Sequence, residues 1–255
     1  GEIQYSAGYG VKEAGLAAPV TSETIYQAAS NSKPVTAMVV MRLVQDGILD
    51  LDQDVNQLLQ TWKLPENDFT QRHKVTLRGL LTHSAGVSVS GYRGYPAGAG
   101  IPTLLQVLKG ESPANCEPVQ VFQQPGKGFF YSGGGYLTIQ QVIEDVTGQA
   151  LEDLAEEFIF EPLGMDHTTF ATILPERFHD QAASAHRGNG EVVPGRWHTY
   201  PEQAAASLWS TVEDLSKLVI EILSAYQGQS DRVLSPRMTR LMLTPQLGWM
   251  GFGYV

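Results

Sequence analysis

Between residues 30 and 46, apolar positions cover nearly every face of the helix that their spacing predicts. Pro34 suits the first turn of this helix and Gly47 suits its end, while Arg42 breaks the apolar run. A helix that is apolar all round is buried in a core rather than laid on a surface. We therefore predict a buried central helix, with the apolar residues Val35, Ala37, Met38, Val39, Val40, Met41, Leu43 and Val44.

Further stretches show helical periodicity with recognisable ends. The clearest is the amphipathic stripe after Ser210, where Ser210-Thr211-Val212-Glu213 has the pattern of a capping box. Ser235-Pro236 favours the start of a last helix, which we expect to end near Leu241. The other predicted helices cover Leu77–His83 after a Thr76 cap, residues 136–147 before Gly148, and Leu151–Phe160 before Pro162.

Extended segments are predicted near both ends of the chain. Residues 2–7, 24–29 and 248–255 resemble strands, and Asn189-Gly190 favours a hairpin turn. An order of strand, helices and strand predicts an α+β protein whose terminal strands share one sheet. Because proteins seldom begin and end within a sheet, we expect the natural chain to extend beyond both ends of these 255 residues.

Composition narrows the class of protein. The 255 residues are 42% hydrophobic and carry a formal charge of −10, which excludes a disordered chain and argues against a nucleic-acid binder. No apolar run is long enough to predict a membrane span, and no signal peptide is recognisable. Cys116 is the single cysteine, so an intrachain disulfide and a two-cysteine metal site are both excluded. The compartment and the oligomeric state stay open.

The first candidate for chemistry is the pair Ser30 and Lys33, at the start of the predicted buried helix. Their spacing places both side chains on one face of the first turn. A lysine beside apolar residues loses solvation, its pKa falls, and its neutral amine can act as the base for a serine hydroxyl. The spacing alone favours a serine cap followed by a solvated lysine, whereas a lysine on the wall of an apolar helix favours the catalytic interpretation.

The second candidate is Tyr131, in the glycine-containing loop that precedes the helix after residue 132. A phenol that reaches a cleft near a cationic lysine can shuttle protons. Taken by itself, this residue is more typical of a core tyrosine with a satisfied hydroxyl.

Several segments together resemble the serine β-lactamase and penicillin-binding-protein superfamily. The segment from Ile25 to Pro34, which contains Ser30-Asn31-Ser32-Lys33, resembles the nucleophile segment of that superfamily, and Tyr131-Ser132 resembles its tyrosine loop. The resemblance is closest to the class C-like branch, which also holds family VIII-type carboxylesterases and D-amino-acid peptidases. It covers essentially the whole chain, in the right order, and continues at residues 45–55, 75–86, 161–165 and 204–214. Within residues 75–86, the resemblance implies that His83 belongs to a structural helix–loop segment rather than to the catalytic group.

The resemblance implies a fold and roles for the three candidates. Ser30 would be the acylated nucleophile, Lys33 its proton acceptor, and Tyr131 the group that passes protons to the leaving group and from the deacylating water. The implied fold is an antiparallel sheet flanked by helices plus a mostly helical subdomain. Residues 1–29 and 206–255 would belong to the sheet, and residues 30–205 to the helical part. No metal and no organic cofactor is implied, and the substrate would be a small ester, amide or β-lactam.

Two departures from the superfamily pattern bear on the substrate. The tyrosine motif usually ends in asparagine, which would contact a substrate amide, and Gly133 stands here. The Lys-Thr-Gly or His-x-Gly triad, expected after residues 249–255, is absent. His186-Arg187-Gly188 matches its letters but lies too early in the chain, so we interpret His186 as a surface hairpin residue.

The sequence therefore favours a serine hydrolase that forms an acyl-enzyme at Ser30, with esterase or D-peptidase activity ranked above β-lactam hydrolysis. Two alternatives stay open. One is a non-catalytic penicillin-binding or sensing homologue, which the absent triad favours. The other is a true class C-like β-lactamase.

Overall fold

The computed structural model describes residues 1–246 and 251–252. Two short strands and ten α-helical segments make up most of its regular structure, with a π-helical turn at Glu156–Phe160 and a 3₁₀ turn at Glu176–Phe178. The strands are β1 (Tyr26–Ala29) and β2 (Leu208–Ser210). The helices are α1 (Ser32–Gln45), α2 (Val55–Leu58), α3 (Leu77–Leu81), α4 (Leu104–Lys109), α5 (Gly133–Thr147), α6 (Leu151–Ala155), α7 (Glu161–Leu163), α8 (Gln203–Ala206), α9 (Val212–Tyr226) and α10 (Pro236–Leu243).

Helix α1 lies at the centre of the molecule, as its apolar pattern predicts. Ten of its fourteen residues are buried, and it packs against α5, α6, α8 and α10. The helix begins at Ser32, so that Pro34 is its third residue, and it ends at Gln45 ahead of Gly47, whose φ is +74°. An element buried on all sides can hold a side chain at its end in one fixed position.

Strands β1 and β2 pair antiparallel, with Tyr26 opposite Ser210. The register shifts between Gln27 and Ala29, which leaves Ala28 unpaired as in a β-bulge. This small sheet, together with the helices, gives the mixed α+β class that the sequence predicts. It also fixes the end of β1, from which the chain turns directly into α1.

The predicted N-terminal strand does not form among the described residues. Residues 2–7 have no strand pairing among the described residues and are largely exposed, so the prediction of a strand there is wrong. An extended segment becomes a strand only where a partner lies beside it. Most of the predicted strand at 248–255 lies outside the described residues. The assignment of 1–29 and 206–255 to one subdomain, and of 30–205 to another, stays a prediction.

Several helix boundaries differ from those predicted: α3 ends at Leu81 rather than His83, and α5 begins at Gly133 rather than at Tyr136. The cap of α9 is Thr211 rather than Ser210: the Thr211 hydroxyl accepts a hydrogen bond from the N–H of Asp214 at 3.1 Å. Residues 151–160 form α6 followed by the π-helical turn, rather than one α-helix. Local sequence does not distinguish an α-helical turn from a π-helical one, because both hydrogen-bond patterns bury the same apolar residues.

Three predicted helix ends and one predicted turn are confirmed. Thr76 caps α3, Gly148 ends α5, and Ser235 caps α10. A hairpin forms around Asn189-Gly190, in which His186 pairs with Val192 and is exposed. Among the described residues, no helix combines the length and the apolar character required to cross a membrane.

Candidate active site

The turn between β1 and α1 presents Ser30 to solvent. Ala29, the residue before it, has a φ of +47°, which is strained for a residue with a side chain. Ser32 braces this turn, because its hydroxyl donates to the carbonyl of Ala29 at 2.6 Å and accepts from the N–H of Leu208 at 3.0 Å. Ser30 thus lies two residues before α1, and not within its first turn as the sequence predicts.

Ser30, Lys33 and Tyr131 come together around the Ser30 hydroxyl. Nζ of Lys33 donates a hydrogen bond to Oγ of Ser30 at 3.2 Å. The hydroxyl of Tyr131, distant in sequence, donates to the same oxygen at 2.9 Å. One exposed serine oxygen therefore has both an amine and a phenol within proton-transfer distance.

Lys33 is buried although Ser30 is exposed. Its relative exposure is 3%, and its Nζ donates to the carbonyl of Ala205 at 2.7 Å. The same nitrogen lies 4.8 Å from the ring centroid of Tyr131 and 5.6 Å from that of Tyr136. Burial lowers the pKa of Lys33, and the Tyr131 phenol partly offsets this effect. The site therefore eases loss of the lysine proton, as a general base requires.

The loop that carries Tyr131 is held by His83, which is 3% exposed. The carbonyl of His83 accepts from the N–H of Phe130 at 2.8 Å, and its Nδ1 accepts from the N–H of Ser132 at 3.0 Å. The imidazole lies 4.5 Å from the Tyr131 ring, centroid to centroid. Burial, followed by the positive charge of Lys33, lowers the pKa of His83 to about 3, so the ring is neutral.

Gly133 has a packing reason to lack a side chain. A Cβ atom built there would lie 2.8 Å from Cε2 of Tyr92, and one built on Gly134 would lie 2.5 Å from the carbonyl oxygen of Ser88. The Ser132 hydroxyl donates to that same carbonyl at 2.9 Å and also caps α5. Residues 88–92 therefore run against the start of α5 so closely that they require the glycines.

Glu202 is a buried carboxyl that the sequence analysis missed. It is 0% exposed, and neither carboxyl oxygen has a hydrogen-bond partner among the described residues. Burial raises its pKa to about 7. It directly precedes α8, the helix whose Ala205 carbonyl holds Lys33. Its charge also acts on Tyr92 and Cys116, which line a surface cavity of about 670 Å³.

A family model described as Beta-lactamase matches residues 1–253. The chain belongs to the β-lactamase family. The resemblance of the chain to the serine β-lactamase and penicillin-binding-protein superfamily is thereby confirmed. Membership in this family explains why the order of the segments follows that superfamily along the whole chain.

Relatives within the family differ in what their names say they do. A putative D-alanyl-D-alanine carboxypeptidase of Escherichia coli K12 is 32% identical over 197 residues, which are 76% of this chain and 44% of that protein. The structure of an octameric penicillin-binding protein homologue from Pyrococcus abyssi is 27% identical, with a TM-score of 0.72, over 99% of this chain and 57% of that one.

The fold is also shared with EstCE1, a hydrolase with promiscuous acyltransferase activity. That structure is 22% identical, with a TM-score of 0.73, over 98% of this chain and 73% of that one. The present chain spans a little under half the length of the curated carboxypeptidase relatives that it matches. Their activities are therefore properties of longer proteins.

Proposed function

We propose that this β-lactamase-family protein is a serine hydrolase that forms an acyl-enzyme at Ser30. The observation that carries the proposal is the convergence of Lys33 Nζ, at 3.2 Å, and Tyr131 Oη, at 2.9 Å, on the Ser30 hydroxyl oxygen. Exposure of Ser30 and burial of Lys33 support it, because the nucleophile must meet substrate while the base must lose its proton easily.

In acylation, the neutral amine of Lys33 accepts the proton of the Ser30 hydroxyl as Oγ forms a bond to the substrate carbonyl carbon. The carbonyl oxygen becomes an oxyanion, for which family resemblance suggests the N–H of Ser30 as one donor. Collapse of this intermediate breaks the bond to the leaving group, which takes its proton from Tyr131. The Lys33 ammonium then restores the Tyr131 proton.

In deacylation, Tyr131 passes its proton to Lys33 and the resulting phenolate takes a proton from water. The hydroxide attacks the acyl carbon. When the second intermediate collapses, Ser30 Oγ leaves with the proton held by Lys33, and the acid product is released. The cycle ends with the same protons on the three side chains as at its start.

The substrates best supported are small esters and D-amino-acid peptides. The putative D-alanyl-D-alanine carboxypeptidase relative favours the peptide. Gly133 offers no side-chain amide to a substrate, and Tyr92 fills the space that such a side chain would need. A β-lactam would depend on an amide contact from position 133. We therefore place β-lactams after esters and D-amino-acid peptides as substrates.

Steady-state kinetics with three substrates test the proposal. We expect turnover of a p-nitrophenyl ester and release of D-alanine from a D-alanyl-D-alanine peptide to exceed penicillin hydrolysis. Ser30→Ala should abolish turnover, while Ser6→Ala, an exposed serine outside the site, should leave it unchanged. Turnover that survives Ser30→Ala contradicts the mechanism. Binding of penicillin without any turnover would favour the non-catalytic alternative.

A further inference from the structure

We propose that His83 is the positioning residue of Tyr131, which it holds so that the phenol meets the Ser30 hydroxyl. The inference rests on the proposed function, in which Tyr131 carries protons. It assigns His83 a role beyond that of the structural segment in which the sequence places it.

His83 brackets Tyr131 along the backbone. Its carbonyl accepts from the residue before Tyr131, through the N–H of Phe130 at 2.8 Å. Its ring nitrogen Nδ1 accepts from the residue after Tyr131, through the N–H of Ser132 at 3.0 Å. His83 therefore holds the backbone both before and after Tyr131, which limits the directions in which the Tyr131 side chain can leave the backbone.

The imidazole also bounds the phenol on one side. Its centroid lies 4.5 Å from that of Tyr131 with the planes tilted by 35°, and 5.3 Å from that of Tyr136. Lys33 Nζ lies 4.8 Å from the same Tyr131 ring. His83 thus limits the movement of the phenol ring on one side, and the Tyr131 hydroxyl is directed at Ser30 Oγ, 2.9 Å away.

Only a neutral ring can make this contact at Nδ1, because imidazolium has two donors and no acceptor. Since Nδ1 accepts from the Ser132 N–H, the ring proton must reside on Nε2. The low pKa of His83, about 3, keeps the ring in this form throughout the neutral range.

His83 adopts this place at a conformational cost. Its φ is +56°, in the left-handed region that residues with a side chain seldom occupy. Strain of this kind persists where surrounding contacts over-determine it, and it is common at functional sites. At His83 those contacts are the two that hold the Tyr131 loop.

A matched pair of substitutions separates positioning from packing. In His83→Asn, the side-chain oxygen occupies the place of Nδ1 and still accepts from Ser132, and asparagine tolerates the left-handed conformation. In His83→Gln, the amide lies where Nε2 was, so the Ser132 N–H loses its acceptor. Both variants lose the ring, and both remain polar.

We expect His83→Gln to lower the acylation rate constant by on the order of 30- to 100-fold with KM changed less than about threefold, because small misplacements of a reacting group cost rates of this size. His83→Asn should retain the rate within about fivefold. Equal losses in the two variants, or no loss in either, would overturn the proposal.

Two readouts do not depend on catalysis. Hydrogen exchange of the Ser132 amide should accelerate at least tenfold in His83→Gln and stay near the wild-type rate in His83→Asn. In the unmodified protein, ¹⁵N NMR should show His83 as the Nε2–H tautomer from pH 5 to 9, and an Nδ1–H tautomer would overturn the contact. Absence of any acyl-enzyme in the wild type would instead count against the proposed function alone.

Discussion

The fold destabilises the protonated form of Lys33. Burial lowers its pKa below the usual 10.5, whereas an exposed lysine would keep its charge through the neutral range. Since the proposed acylation needs the neutral amine, its rate should rise with pH until it passes the lowered pKa of Lys33. The direction follows from the protonation state of the base and from burial as its cause.

Replacing this lysine by arginine tests whether its proton matters more than its charge. Arginine stays protonated at all working pH values, so Lys33→Arg should lower the acylation rate by on the order of 10²- to 10⁴-fold. Lys109→Arg, on an exposed lysine at the end of α4, is the control and should change nothing. Single-turnover kinetics measure both, and wild-type acylation in Lys33→Arg would rule out a lysine base.

Glu202 should make stability depend on pH. Its pKa is raised from 4.5 to about 7, so the folded state holds a proton that the unfolded state has lost. The stabilisation is present below pH 4.5 and is lost as pH rises through 7, amounting to up to about 3 kcal/mol.

Urea unfolding between pH 4.5 and 8 measures this contribution. Glu202→Gln should flatten the fall in the free energy of unfolding relative to wild type. Glu117→Gln, at an exposed glutamate on the rim of the neighbouring cavity, should leave the slope as it is. If the free energy of unfolding falls with pH equally in wild type and in Glu202→Gln, Glu202 is not buried as a protonated carboxyl.

At the scale of the elements, the sequence predicts helices better than strands. α1 and α5 follow from apolar residues bounded by Pro34 and by Gly148, and the start of α10 follows from Ser235-Pro236. Those signals are local, since helix hydrogen bonds close within a few residues. The segment 2–7 has strand-like residues, but its state depends on a partner that local sequence does not specify.

The close approach of residues 88–92 to the start of α5 predicts that Gly133 resists substitution. Gly133→Ala should destabilise the protein by about 1–3 kcal/mol, because its Cβ would lie 2.8 Å from the Tyr92 ring. Gly188→Ala is the matched control, since nothing lies within 4 Å of its Cβ position. Thermal unfolding compares the two, and equal melting temperatures would contradict the packing described.

At the scale of the whole molecule, the sequence predicts the members of the site better than its surroundings. Ser30, Lys33 and Tyr131 each stand in a segment that resembles a superfamily motif, and the structure brings their side chains together. Their catalytic roles remain proposals. The resemblance of motifs is enough to select these three residues, because each catalytic role requires a particular residue type.

The groups around these three have no comparable signal. The Ala205 carbonyl that holds Lys33 belongs to the backbone, which carries no residue identity. Contact of the His83 ring with Tyr131 joins two segments distant in sequence and needs the folded chain to become visible. Glu202 is one acidic residue among the 27 of the chain until its burial is known.

Intact-protein mass spectrometry after brief exposure to a p-nitrophenyl ester detects the acyl-enzyme itself. We expect a mass increase equal to one acyl group, present in the wild-type protein and absent in Ser30→Ala. A parallel sample with penicillin ranks the two reagents. An acyl adduct that persists in Ser30→Ala would contradict an acyl-enzyme at Ser30. So would a wild-type protein that neither hydrolyses nor is labelled by either reagent.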